Sequence, residues 1–178
     1  MSTTTATPRK RSGGKGALPA DLRPEHVTAI VDTREQHPFE LAPLASIVAG
    51  LTAGDYSILG LEHLVAIERK SLPDLIGCCG VERERFEREL QRLLAYPTRC
   101  VVVEASWADI QAGGWRSNLT PKSATGSVLA WIGSGVPFLF AGDRQAAQQA
   151  TARLLYLAAR RRWRELRALA TAAEGGPA

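Results

Sequence analysis

Glu68 and Lys70 stand two residues apart at the end of Leu64 to Lys70, a run whose alternation predicts a β-strand. Successive strand side chains point to opposite faces. Glu68 and Lys70 therefore share a face with Leu64 and Ala66, while Val65 and Ile67 occupy the other. A carboxylate and an ammonium at the end of an otherwise apolar strand cost desolvation free energy unless they have a task. Two further apolar runs end in the same way. One carries Asp55 in Gly54-Asp55-Tyr56, and the other carries Asp32 in Asp32-Thr33-Arg34-Glu35. Carboxylates gathered at strand ends can hold a hard divalent cation, and a lysine beside them can stabilise or activate an attacking water.

The elements that must position these groups follow from pattern and punctuation. His26 to Asp32 reads as the first strand. Pro38 and Pro43 mark a loop, with a helical turn near Leu44 to Ala49. Leu51 to Ile58 reads as a strand, Gly60 as a turn and Leu64 to Lys70 as the next strand. Ser71 caps a helix that starts near Leu72, with Asp74 at the capping-box position, and Gly80 interrupts that helix. A second helix, Glu82 to Ala95, places Phe86, Leu90, Leu93 and Leu94 on an apolar stripe. Its other face mixes Arg83, Arg85, Arg88 and Arg92 with four glutamates, in pairs such as Glu84 and Arg88 that suit a salt-laced solvated surface.

Cys100 to Glu104 is a buried strand whose final glutamate either joins the site or caps the next helix. Ser106 and Asp109 form a second capping box. Thr120-Pro121 opens a helix with Thr125, Val128, Leu129 and Ile132 as its stripe. Val136 to Ala141 is a last short strand. Asp143 caps a long helix that reaches at least Leu169 and carries the basic run Arg160-Arg161-Arg162. Strands separated by helices give an α/β layer structure. The expected organisation is a disordered basic tail over 1–23, one domain over 24–170 and a frayed end over 171–178. In the tail, Pro8-Arg9-Lys10-Arg11 and Lys15 form either a solvated segment or an arm that lies on phosphates.

Asp-x-Arg-Glu, then Gly-Asp-Tyr, then Glu-Arg-Lys-x-x-x-Asp resembles the nuclease domain of the XPF-type structure-specific endonucleases, from about Thr28 to about Arg160. The resemblance implies a restriction-endonuclease-like fold, with a central mixed β-sheet flanked by helices. It implies hydrolysis of phosphodiester bonds in branched, flap or junction DNA. That reaction needs a deprotonated water, neutralised charge on phosphorus and a stabilised leaving oxygen. Asp55 and Glu68 are the expected direct metal ligands, with Asp32 a third carboxylate, direct or through water. An oxygen-only ligand set suits Mg2+ or Mn2+ rather than zinc. Lys70 is expected to orient or help deprotonate the water. Arg34 and Arg69 could clamp phosphate, although strand alternation turns Arg69 away from Glu68 and makes a structural ion pair an equal reading. The family places a basic residue after the break between the two helices, and Arg83 and Arg85 are both candidates. Glu35 either orients Arg34 or lies on the loop surface. Asp74 belongs to the family motif and also caps a helix.

Composition is compatible with this reading. With 45% hydrophobic and 22% charged residues the chain can build one proper core, and its net charge of +4 suits a nucleic-acid partner. Cys78, Cys79 and Cys100 have no zinc or disulfide spacing. No stretch reads as a signal peptide or a membrane span, so a soluble intracellular protein without membrane partners is expected.

Relatives of this family add helix-hairpin-helix domains that this sequence does not contain. Junction specificity is therefore expected from the basic tail, from a homodimer built on the later helices (Leu129, Trp131 and the helix after Asp143), or from a separate partner. The competing readings are a non-catalytic DNA-binding or scaffold subunit, which would not need Asp32, Asp55, Glu68 and Lys70, and an RNA-cutting or unspecific nuclease on the same fold.

Overall fold

In a computed structural model that describes residues 19–174, alternation along the strands sorts side chains onto two faces of a six-stranded sheet. The strands are β1 (Thr28–Asp32), β2 (Ala45–Ala49), β3 (Tyr56–Ile58), β4 (Val65–Lys70), β5 (Thr98–Val103) and β6 (Phe138–Phe140). They lie in the order β2-β1-β3-β4-β5-β6. β3 runs antiparallel to both β1 and β4, and the remaining neighbours are parallel, so the sheet is mixed. The helices are α1 (Leu72–Cys79), α2 (Arg83–Leu93), α3 (Trp107–Ala112), α4 (Pro121–Gly133) and α5 (Arg144–Glu174).

Val31, Tyr56, Val65, Ile67, Cys100 and Val102 pack under α5, against Leu155, Tyr156 and Ala159. Ala66, Val101 and Val103 pack on the other face against α1 to α4, with Leu75, Phe86, Leu90, Ile110, Val128 and Trp131. One strand parity thus faces α5 and the other faces α1 and α2. This decides where the charged end of β4 points.

The caps behave as their sequences predict. Ser71 accepts from the Asp74 amide at the start of α1, Ser106 and Asp109 form a reciprocal capping box on α3, and Thr120 caps α4 with Pro121 at the first position. Asp143 Oδ1 accepts from the Ala146 amide at 2.7 Å and starts α5.

Three local readings change. Ala45–Ala49 is a strand and not a helical turn, because Ile47 and Val48 pair in parallel with Ile30 and Val31 at the sheet edge. The strand expected over Leu51–Ile58 is confined to Tyr56–Ile58, since Gly54 at φ +75° turns the chain before it. On α4 the buried side is Ala124, Ser127, Val128 and Trp131, while Leu129 and Ile132 are exposed. Trp131 rotates the helix inward by meeting the Phe86 ring edge-on, with centroids 5.0 Å apart.

Pro19 to Arg23, the end of the expected tail, lies along α5. Tyr156 donates to the Leu22 carbonyl, Trp163 to the Pro19 carbonyl, and Arg160 pairs with Asp21 at 2.8 Å. The basic residues Arg9, Lys10, Arg11 and Lys15 lie outside the described residues.

A Cβ on Gly54 would sit 2.9 Å from the Ile67 carbonyl oxygen, on a backbone already at positive φ. Gly54→Ala is therefore expected to cost on the order of 2 kcal/mol or more and lower Tm by about 5 °C. Gly60→Ala, with similar φ but open space around the new methyl, should cost clearly less when both are compared by thermal melts.

Candidate active site

β4 delivers Glu68 and Lys70 to the face covered by α2, and the turn before β3 brings Asp55 alongside. Asp55 is tied into both neighbouring strands. Its amide donates to the Ile67 carbonyl at 2.8 Å, its carbonyl accepts the Asp32 amide at 2.8 Å, and its Oδ2 accepts the Arg69 amide at 2.7 Å. Glu68 is buried, and its Oε1 lies 2.5 Å from Lys70 Nζ. The Lys70 ammonium also stands over the Phe86 ring at 5.1 Å.

Burial and the neighbouring Glu68 charge push Asp55 up to about 7, against the lowering pull of the Arg69 amide and Lys70. Burial also raises Glu68, and its contact with Lys70 only partly offsets this. For Lys70 burial opposes the charge, but Glu68 more than restores it, so its pKa is raised and the side chain stays an ammonium. The pair partners thus respond unequally: Lys70 gains from Glu68, while burial keeps both carboxyls raised.

These groups form the floor of a pocket of about 220 Å3. Its rim includes Arg34, Arg85 and Arg92, and Glu89 enters from α2. Glu89 Oε1 accepts from Arg85 at 2.8 Å. Its buried Oε2 has no hydrogen-bond partner and lies 3.8 Å from Lys70 Nζ. Sequence reasoning did not place Glu89 or Arg92 in the site. Their signal was present, because Arg85, Glu89 and Arg92 recur at helical spacing, but the same stripe reads equally well as a solvated face.

The structure brings Asp55, Glu68, Lys70, Arg34 and Arg85 together and separates the remaining predicted residues. Asp32 does not line the pocket. Its Oδ1 accepts from the Arg34 amide and Nε at 2.9 and 2.6 Å, and its Oδ2 accepts from the Leu51 amide at 2.6 Å. Burial opposes its charge, yet the Arg34 guanidinium and these amides outweigh burial and hold its carboxyl below the usual range.

Arg69 points to the α5 face, where its side chain pairs with Glu104 at 2.6 Å and Glu35 at 3.4 Å above the Phe39 ring. Glu35 thereby serves Arg69 and not Arg34, and Glu104 joins this network with Arg144 at 2.8 Å. Arg83 turns away to Glu87 and Ser127, over Trp131. Asp74 bonds Ser71 at the α1 cap.

Among the described residues no three His, Cys, Asp or Glu side chains converge as a cation cage. Two adjacent carboxylates whose charge is disfavoured by burial nevertheless fit a hard ion such as magnesium, which takes one or two protein carboxylates and fills its remaining positions with water and phosphate oxygens.

A mixed sheet flanked by helices, with its charged residues at the ends of β3 and β4, is a restriction-endonuclease-like nuclease fold. The family model of the ERCC4 domain matches residues 31–154, and the chain belongs to that family. XPF from Aeropyrum pernix superposes with a TM-score of 0.61 at 21% identity, over 85% of this chain and 75% of that one. XPF from Aeropyrum pernix in complex with DNA gives a TM-score of 0.61 at 21% identity, over 75% of this chain and 65% of that one. No curated protein matches significantly. No helix among the described residues is long and apolar enough to cross a membrane.

Asp55 gives a stability prediction. Its folded pKa of about 7 lies above the ordinary 3.8, so between these values the native state holds the extra proton and stability falls as pH rises. The penalty is absent below about pH 4 and complete above about pH 7. Asp55→Asn removes it and keeps an acceptor for the Arg69 amide. In chelator the variant should therefore be the more stable protein by on the order of 1–3 kcal/mol at pH 8, with the gap shrinking towards pH 5. Melts across this range that show a constant gap would contradict the assignment.

Proposed function

We propose that this chain is a divalent-metal-dependent DNA endonuclease that hydrolyses phosphodiester bonds at branched or flap-like DNA. The observation that carries the reading is the pairing of half-buried Asp55 with buried Glu68 beside Lys70, in a pocket also lined by three arginines. A non-catalytic scaffold would bear the desolvation cost of these charges with no return. Family membership supports the reaction class, and the Aeropyrum pernix complex with DNA supports the substrate class.

Asp55 and Glu68 would hold Mg2+ or Mn2+, which would supply Lewis-acid polarisation of the phosphate and acidify water. Arg34 and Arg85 reach the same pocket and are suited to phosphate oxygens, with Arg92 beside them. Lys70, kept protonated by Glu68, is better suited to orienting a water or donating a hydrogen bond to a phosphate oxygen than to accepting a proton. Asp32 acts through Arg34, whose Nε and amide it holds on the rim. Arg69 contributes indirectly, by fixing the strand that carries Glu68.

Exposed Leu129 and Ile132 on α4 and Leu139 on β6 are candidates for a homodimer surface, and a separate partner could add junction specificity.

Asp55→Ala and Lys70→Ala are each expected to lower cleavage of end-labelled splayed-arm and 3′-flap DNA at least 100-fold in Mg2+ or Mn2+. Circular dichroism should stay native. Chelator should abolish cutting by the parent chain, and full activity in either folded variant would remove the mechanism. Cutting confined to the branch would support structure specificity, whereas cutting of every DNA would assign that specificity to a partner. For the dimer, sedimentation at micromolar concentration should give twice the chain mass, and Leu129→Asp should return it to one.

A further inference from the structure

We propose that the groove between α1 and the α3–α4 loop binds unpaired nucleotides of a DNA strand that leaves the candidate active site. This inference rests on the nuclease reading and names the part of the substrate that it leaves open. The groove encloses about 1170 Å3 and is mostly apolar, a size that suits planar ligands of nucleotide dimensions. Leu72 and Pro73, which form one wall, follow Lys70 by two and three residues, so the groove begins where the catalytic strand ends. Trp115 lies in the opposite wall with Arg116 and Asn118. The lining contains no aspartate or glutamate, in contrast with the carboxylate-rich pocket next door. An aromatic ring, an arginine and an absence of negative charge are what a strand with unstacked bases requires, since every base offers a π face and every linkage a phosphate.

The link between α1 and α2 lines the groove through Gly80 and Val81 and leads on to the pocket. Val81 at its tip is 98% exposed, and Arg85, one turn further along, already belongs to the catalytic pocket. A large exposed aliphatic group there, fixed by the start of α2, is placed to insert at a base step where duplex gives way to single strand. On this arrangement the duplex phosphate lies over Asp55 and Glu68, Val81 stands at the junction, and the unpaired arm passes into the groove against Trp115.

The test uses the full-length Asp55→Asn chain in magnesium, so that bound DNA is not cut. Fluorescence anisotropy would compare splayed-arm DNA, a single strand of the same sequence and blunt duplex. Trp115→Ala should lower affinity for splayed-arm and single-stranded DNA about tenfold, with duplex affinity changed less than about twofold. Val81→Ser should lower splayed-arm affinity alone, about threefold. Trp115 donates its indole N–H to the Leu119 carbonyl at 2.8 Å, so its removal could disturb the loop. The exposed Val81, together with photocrosslinking from 5-bromodeoxyuridine placed in the DNA arm to the Asp55→Asn chain with Trp115 intact, keeps the test decisive, and crosslinks should map to residues 113–118.

Equal losses on all three DNAs, no loss in either variant, or crosslinks confined to other surfaces would overturn the groove while leaving the nuclease reading intact. Failure of the parent chain to bind any DNA would overturn both.

Discussion

The placement of half-buried Asp55 beside buried Glu68 is the constraint on which the rest of the structure depends. Burial and mutual repulsion both oppose their ionisation, and Lys70 answers only part of the deficit. Backbone geometry nevertheless keeps the carboxylates together. The Asp55 segment is bonded to Ile67 and Arg69 of β4 on one side and to Asp32 of β1 on the other. Gly54 permits this by turning at positive φ within van der Waals contact of the Ile67 peptide. The fold thereby keeps two carboxylates side by side where burial disfavours their charge, an arrangement suited to a divalent cation.

The parity of β4 divides the charged residues into two networks with different tasks. Glu68 and Lys70 face α2 and the pocket. Arg69, between them in sequence, faces α5 and joins Glu104, Glu35 and, through Glu104, Arg144 at the start of α5. Arg144 also donates to the carbonyls of His37 and Pro38, so this rear network binds β4, β5, α5 and the loop after β1 into one unit. A slip of one residue in β4 would exchange Glu68 for Arg69 and strand charges on both faces. The rear network therefore fixes the register of the strand that carries Glu68 and Lys70.

Local signals made much of this legible in the sequence. The caps of α1, α3, α4 and α5, the α/β layering and the Glu68–Lys70 face followed from spacing and alternation, and the mixed sheet from the family resemblance. What sequence could not supply was the pairing of residues distant along the chain. Asp32 ends β1 and Asp55 directly precedes β3, but the acceptors of Asp32 are taken by Arg34 and Leu51, a distinction set by the loop after β2. Glu89 and Arg92 lay in a stripe that reads as solvated surface until α2 is docked beside β4. Ala45–Ala49 lacks a clear period, and only its pairing with β1 makes it a strand. On α4, stripe counting favoured Leu129 and Ile132, but the tight fit of Trp131 against Phe86 set the rotation.

The strengths of the ion pairs around the pocket indicate which charges can change partners. Arg85 bridges Glu82 and Glu89, and Arg34 holds Asp32, yet both arginine side chains are more than half exposed. The Arg85–Glu82 pair, exposed on both sides, is worth about 0–1 kcal/mol and can yield to a phosphate at little cost, whereas Asp32 is buried and depends on Arg34. Lys70 and Glu68 are about 90% buried, and leaving either without a partner would cost several kcal/mol. A change at Glu68 therefore requires an incoming cation for the carboxylate and a second anion for the ammonium. Glu89 Oε2, unpartnered and 3.8 Å from Lys70 Nζ, is already in place as that anion. Arg85 is thus free to exchange partners, while the Glu68–Lys70 pair can rearrange only when both charges find new partners together.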